Sequence, residues 1–111
     1  MNLRNKVQLI GHIGNAPEIR TLDSGKTFAR FSMATNETYK DANGNQVTNT
    51  DWHNIVAWGK TAELAKNLLD KGKEVLIEGK LSTREYENQE GKKMRTVEVL
   101  AQNFLLLGKK N

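Results

Sequence analysis

Hydrophobic and polar residues alternate from Asn5 to Gly14. Val7, Leu9, Gly11 and Ile13 fall on one side, and Gln8, Ile10 and His12 on the other, which is the period of a strand with one drier face. Pro17, in "NAPE", breaks the run, and Ile19–Leu22 is a short extended piece before the turn "DSGK". Alternation resumes over Thr27–Thr35, with Ala29, Phe31 and Met33 together. The polar stretch Asn36–Thr50 follows, and its Asn43-Gly44 pair predicts a long hairpin with Tyr39 on the first arm. Asp51–Trp58 reads as the returning strand. The period then changes: Ala62, Ala65, Leu68 and Leu69 share a helical face within Lys60–Leu69, with Gly72 as the stop signal. Lys73–Tyr86 alternates again, "NQEGKK" is a second hairpin tip, Met94–Ala101 is a strand, and Asn103–Leu107 is a short apolar end.

This order predicts an all-β chain with one helix. The five-stranded Greek-key OB-fold barrel carries its helix between strands three and four, where this helix falls, and the two polar hairpins would protrude from it. A length of 111 residues suits one domain over 1–111. No run approaches the roughly 20 apolar residues that span a bilayer. The opening segment, broken by Gln8 and His12, is too short in apolar residues for a signal peptide, so a cytoplasmic protein is expected. The absence of Cys excludes disulfides and thiolate chemistry.

Candidate catalytic features are weak. "GKT" at Gly59–Thr61 lacks the earlier glycine of a phosphate-binding loop, because Asn54 stands there; Thr61 is better read as a helix cap. His12 and His53 have no metal-ligand spacing, so no metal, cofactor or catalytic residue is assigned and the chain is not read as an enzyme.

The aromatic residues are more informative. Trp52, Asn54, Val56 and Trp58 project from one strand face, an odd mixture for a sealed core, so parity alone leaves the two tryptophans divided between core and contact. Tyr39 and Tyr86 have no apolar sequence neighbours and belong on hairpin arms. Lys and Arg total 17 against 13 Asp and Glu, a net charge of +4. Lys40, Lys60, Lys71, Lys73, Lys80, Arg84, Lys92, Lys93 and Arg95 lie on or near the segments that carry the rings. Exposed rings beside basic side chains suit unpaired bases and a phosphate backbone.

Five segments, "NKVQLIGHIGNAPEIR", "FSMATNETY", "TDWHNIVAWGKTAE", "KGKEVLIEGKLSTREY" and "TVEVLAQNFLLLG", resemble in that order the bacterial single-stranded DNA-binding protein family, over about residues 5–108. The resemblance implies an OB-fold that binds single-stranded DNA without strong sequence preference, in replication, recombination and repair, as a homotetramer of paired dimers associated with the nucleoid. It implies base stacking on Tyr39, Trp52, Trp58 and Tyr86, phosphate contacts from Lys6, Arg20, Lys60, Lys71 and Arg84, and a subunit-contact role for His53. Trp58 stands where Phe is frequent, and Tyr39 and Tyr86 where Trp is frequent. Ser82 replaces a frequent Arg, whose task Lys93 and Arg95 are expected to share; Lys80 is counted with the same phosphate set. The sequence ends at Asn111 without the family's Gly/Pro/Gln-rich tail and acidic tip, so tail-mediated recruitment of partners is not expected of it. The alternatives are an OB-fold accessory subunit acting mainly through protein contacts, and an RNA-binding chaperone.

Overall fold

The computed structural model describes residues 4–108. Its elements are β1 (Val7–Ile13), β2 (Glu18–Thr21), β3 (Thr27–Lys40), β4 (Gln46–Trp58), α1 (Gly59–Leu68), β5 (Glu74–Glu87) and β6 (Lys93–Leu106). Five of the strands close into a barrel in the order β1-β5-β6-β4-β3, and a second β1–β3 pairing completes the ring. The short β2 lies outside this ring as an antiparallel flap on β3, opposite Thr27–Arg30. Counting only the ring strands, in chain order, the helix falls between the third (β4) and the fourth (β5), so the all-β OB topology read from the order of elements holds. Neighbouring strands are antiparallel except β4 and β6, which meet in parallel at Ile55↔Val99 and Val56↔Leu100.

Alternation decides what lies inside. Ile13, Phe31, Met33, Ile55, Val75, Ile77 and Val99 form the core with small residues such as Ala29, Ala57 and Ala101. Ala62 and Ala65 on α1, and Leu69 just after it, complete the same cluster. The helix begins two residues before Thr61. Trp58 occupies the cap position without a side-chain cap bond, so the expectation that Thr61 caps the helix is not met. Leu68, assigned to the buried face, is exposed. The helix ends there, Leu69 takes extended backbone angles and turns into the core, and Gly72 belongs to the next turn, where its N–H donates to the Ile13 carbonyl.

Both hairpins protrude as long paired ribbons, the first as its Asn43-Gly44 turn predicts, and pairing extends past the alternating segments Thr27–Thr35 and Met94–Ala101. β3 and β4 stay in register from Phe28↔Trp58 to Lys40↔Gln46, and β5 and β6 reach Glu87↔Lys93. The tips are built alike. The Asp41 side chain accepts from the N–H groups of Asn43 and Asn45, and Asn88 accepts from those of Glu90 and Lys92. Gly44 and Gly91 supply the left-handed backbone (φ 83° and 80°) that closes each turn.

Barrel closure needs two close backbone approaches. A methyl group on Gly11 would overlap the Ala34 carbonyl where β1 passes from β5 to β3, and one on Gly79 would overlap the Leu100 carbonyl beside a register shift between β5 and β6. Gly79→Ala is therefore expected to lower the unfolding free energy by about 1–3 kcal/mol or more, the usual effect of overpacking. Urea denaturation followed by circular dichroism measures this, and an unchanged midpoint would contradict the close approach.

Candidate nucleic-acid interface

The side chains rejected by the core gather on the outer face of the barrel. On β3, Phe28 and Arg30 have the parity opposite to Ala29 and Phe31, and on β4, Val56 and Trp58 have the parity opposite to Ile55 and Ala57. Together with Arg20 and Leu22 beside β3, Ser82–Glu85 on β5, and Glu98 and Leu100 on β6, they line a cleft of about 640 Å³. The cleft crosses the sheet from the β2 flap to β5.

Cross-strand register fixes its aromatic wall. Phe28 pairs directly with Trp58, and their rings meet at 4.6 Å between centroids, tilted by 50°. Cations border these rings: Lys26 Nζ lies 5.5 Å from the Trp58 ring and the Arg30 guanidinium 5.5 Å from Phe28. On β5 the Arg84 guanidinium lies 5.7 Å from the Tyr86 ring. In the cleft, Glu98 is only 7% exposed, and its carboxylate meets Arg30 Nη2 at 3.3 Å and Arg84 Nε at 3.5 Å. A buried carboxylate requires such partners, because leaving it uncompensated would be strongly unfavourable.

The four rings expected to contact a ligand are all exposed: Trp52 by 64%, Tyr39 by 45%, Tyr86 by 43% and Trp58 by 39%. The structure thus places neither tryptophan in the core. Of the residues named from the sequence, Trp58, Arg20 and Arg84 line the cleft, with Tyr86 adjoining through Arg84. The others lie elsewhere. Tyr39 sits on the distal β3 arm opposite Val47, and Trp52 sits opposite Ala34 with its ring edge over Gly14. Lys60 is exposed in the first turn of α1, Lys71 is exposed in the turn after it, and Lys80 is half-buried on β5. Lys93 and Arg95 open β6, where Arg95 pairs with Glu85 at 3.3 Å; Lys6 pairs with Glu78 at 3.4 Å. Solvated pairs of this kind contribute little to stability and leave the cations available to other anions. His53 is half-buried, with Nε2 2.9 Å from the Thr35 hydroxyl.

The sequence reading missed Lys26, Phe28, Arg30 and Glu98. The parity that set Ala29 and Phe31 inside was enough to turn Phe28 and Arg30 outward. Nothing local marks Glu98, whose partners lie on other strands. Among the described residues, no group of three or more His, Asp or Glu side chains is placed to hold a metal ion, and no helix is long and apolar enough to cross a membrane.

A profile of the Single-strand binding protein family matches residues 4–107. The chain belongs to this family. It is 45% identical over 108 residues to the single-stranded DNA-binding protein 1 of Chlorobaculum tepidum, covering 96% of this chain and 67% of that protein. It is 40% identical over 107 residues to a single-stranded DNA-binding protein of Neisseria meningitidis, covering 96% and 62%. The chain therefore spans about two thirds of the length of these relatives. Among solved structures, a Plasmodium falciparum SSB complex with ssDNA superposes with a TM-score of 0.84 at 33% identity, covering 97% of this chain and all of that one. The barrel is thus the fold of that single-strand binding family neighbour.

The exposure of the rings has a direct thermodynamic consequence. Trp52→Ala is expected to change stability by less than about 1 kcal/mol, whereas Phe31→Ala in the core is expected to lower it by about 3–5 kcal/mol. Paired urea titrations check this, and a large loss from Trp52→Ala would return that ring to the core.

Proposed function

We propose that the chain binds single-stranded DNA without strong sequence preference and shields it during replication, recombination and repair. The observation that carries this reading is the outer face itself: at a groove that crosses the barrel, Phe28 and Trp58 stand beside Lys26, Arg20, Arg30 and Arg84, with Tyr86 adjoining. Each unpaired base offers a π-face, and stacking on an aromatic side chain contributes about 1–3 kcal/mol per base whatever the base is. Trp52, Trp58, Tyr39 and Tyr86 are the stacking platforms. Arg20 and Arg84 in the cleft, and Lys6, Lys60, Lys71, Lys80, Lys93 and Arg95 elsewhere on the surface, hold phosphates, which makes binding salt-dependent. The names of the relatives and the DNA-bound neighbour support the same ligand. The chain acts by binding rather than catalysis, as one DNA-binding domain associated with the nucleoid.

It works as a homo-oligomer, most simply a tetramer. Cross-strand register sets Ile10 opposite Leu76 and Leu76 opposite Leu105. This makes an apolar row across β1, β5 and β6 whose two ends, Ile10 and Leu105, are more than half exposed. Such a row is suited to burial against another copy. His53 is assigned to a subunit contact as well.

Two measurements test these readings. Titration with oligo(dT) should quench tryptophan fluorescence strongly, with affinity falling as salt rises, duplex DNA competing poorly, and Trp58→Ala weakening binding by about 1–3 kcal/mol. Absence of quenching and of any gel shift would reject DNA binding and favour a protein-binding accessory role. Equal affinity for a matched RNA would favour the RNA chaperone. In sedimentation velocity at micromolar concentration, the parent chain should run as a tetramer and Ile10→Asp as a smaller species; a monomeric parent chain would reject the assembly.

A further inference from the structure

The ion triad in the cleft combines two opposed features. Arg30 and Arg84 sit on different strands of the groove proposed to hold DNA, yet both are already bound to an acid. Glu98 is nearly sealed, with 8% of its side chain exposed, whereas the arginine side chains are 42% and 50% exposed. The cations thus face the groove and the anion lies beneath them.

The contacts leave both guanidiniums with free capacity. Arg30 gives Glu98 a single hydrogen bond from Nη2, which leaves Nη1 outside that contact on a side chain that is 42% exposed, while its Nε is buried without a partner. Arg84 turns its Nε toward the carboxylate, which leaves its terminal nitrogens outside that contact. A guanidinium carries five N–H donors in a fixed fork, suited to a second oxyanion. Each guanidinium also lies beside an aromatic ring, Arg30 at 5.5 Å from Phe28 and Arg84 at 5.7 Å from Tyr86. Arg30, Glu98 and Arg84 together carry a net charge of +1 rather than the +2 of the arginines alone.

We propose that Glu98 is a positioning and affinity-limiting residue of this cleft: it aims Arg30 and Arg84 at one backbone phosphate and offsets one of their two charges. The proposal rests on the single-stranded DNA reading above. A carboxylate beneath two phosphate-binding cations weakens their hold on the phosphate and hastens release of the strand. A neutral side chain of the same shape would keep the arginines in place and lose this restraint.

Equilibrium binding of oligo(dT) to the full chain, measured by tryptophan quenching across a salt series, tests this with Glu98→Gln, Arg30→Gln and the double variant R30Q/E98Q. Circular dichroism and urea midpoints verify that each is folded. Glu98→Gln should bind several-fold tighter at low salt. Its log–log salt dependence should steepen by up to about 0.7, the increment for one further phosphate charge neutralised on a single strand. Arg30→Gln takes the triad from +1 to 0 and should weaken binding. R30Q/E98Q restores +1 and should recover most of the lost affinity. Parent-like or weaker binding by folded Glu98→Gln, or no recovery in the double variant, overturns the proposal and leaves Glu98 a purely structural ion partner. Where Glu98→Gln alone does not fold, the comparison of R30Q/E98Q with Arg30→Gln decides the question. Failure of the parent chain to bind oligo(dT) at all rejects the DNA reading, and this proposal with it.

Discussion

The closure of the barrel by β1 is the constraint on which the rest depends. This strand pairs with β5 from Val7 to His12 and with β3 at His12 and Ile13. One short strand thereby joins the two ends of the sheet, and it does so only because Gly11 brings no side chain into the crossing. A closed barrel has no free edges among its ring strands. It also gives every ring strand an unambiguous inside and outside, so each outward side chain is committed to solvent, to a neighbouring subunit or to a ligand.

That commitment explains an arrangement that is poor for stability by itself. Large rings contribute most to folding when buried, yet Trp52 and Trp58 lie on the outer face while Ala29, Phe31, Met33, Ile55 and Ala57 occupy the inner β3 and β4 positions. Likewise, the nearly buried acid of the chain is spent on two cations that stay partly in solvent. Replacing a buried ion pair with well-packed apolar residues is frequently neutral or stabilising. The cleft therefore makes better sense as a surface built for contact than as a device for holding the fold together.

Much of this was legible in the sequence, because period-two alternation reports directly on which side a residue faces. The core members Ile13, Phe31, Met33, Ile55, Val75 and Ile77 follow it, and the switch of period at Lys60 marks the helix. Three kinds of feature were not fully legible. Strand bounds were only partly legible where both faces are polar, as over Asn36–Thr50: the Asn43-Gly44 turn announced the long hairpin, but solvated ribbons carry no hydrophobic alternation to mark how far the arms pair. The helix end was misjudged at Leu68 and Leu69, because a change of backbone angle after the last turn, rather than helical spacing, carries Leu69 inward. The triad of Arg30, Arg84 and Glu98 was invisible because its members are 14 or more residues apart in sequence and meet only once β3, β5 and β6 are assembled. The family resemblance supplied the four rings, but Phe28, Arg30 and Glu98 emerged from cross-strand neighbours.

The parallel seam between β4 and β6 also bears on how the molecule is made. β6 is the last strand of the described chain, yet it lies in the middle of the sheet, between β4 and β5. The β3–β4 ribbon can pair as soon as it is synthesised, and β1 can find β5 once residue 79 has emerged. The ring stays open until β6 arrives to bridge them. Closure then depends on pairings distant in sequence, the kind that make β-barrels slow to fold, on a scale of milliseconds to seconds. Until that insertion the flanks of β4 and β5 are unpaired, so the nascent chain passes through a stage in which its own last strand competes with any other extended peptide for the same gap.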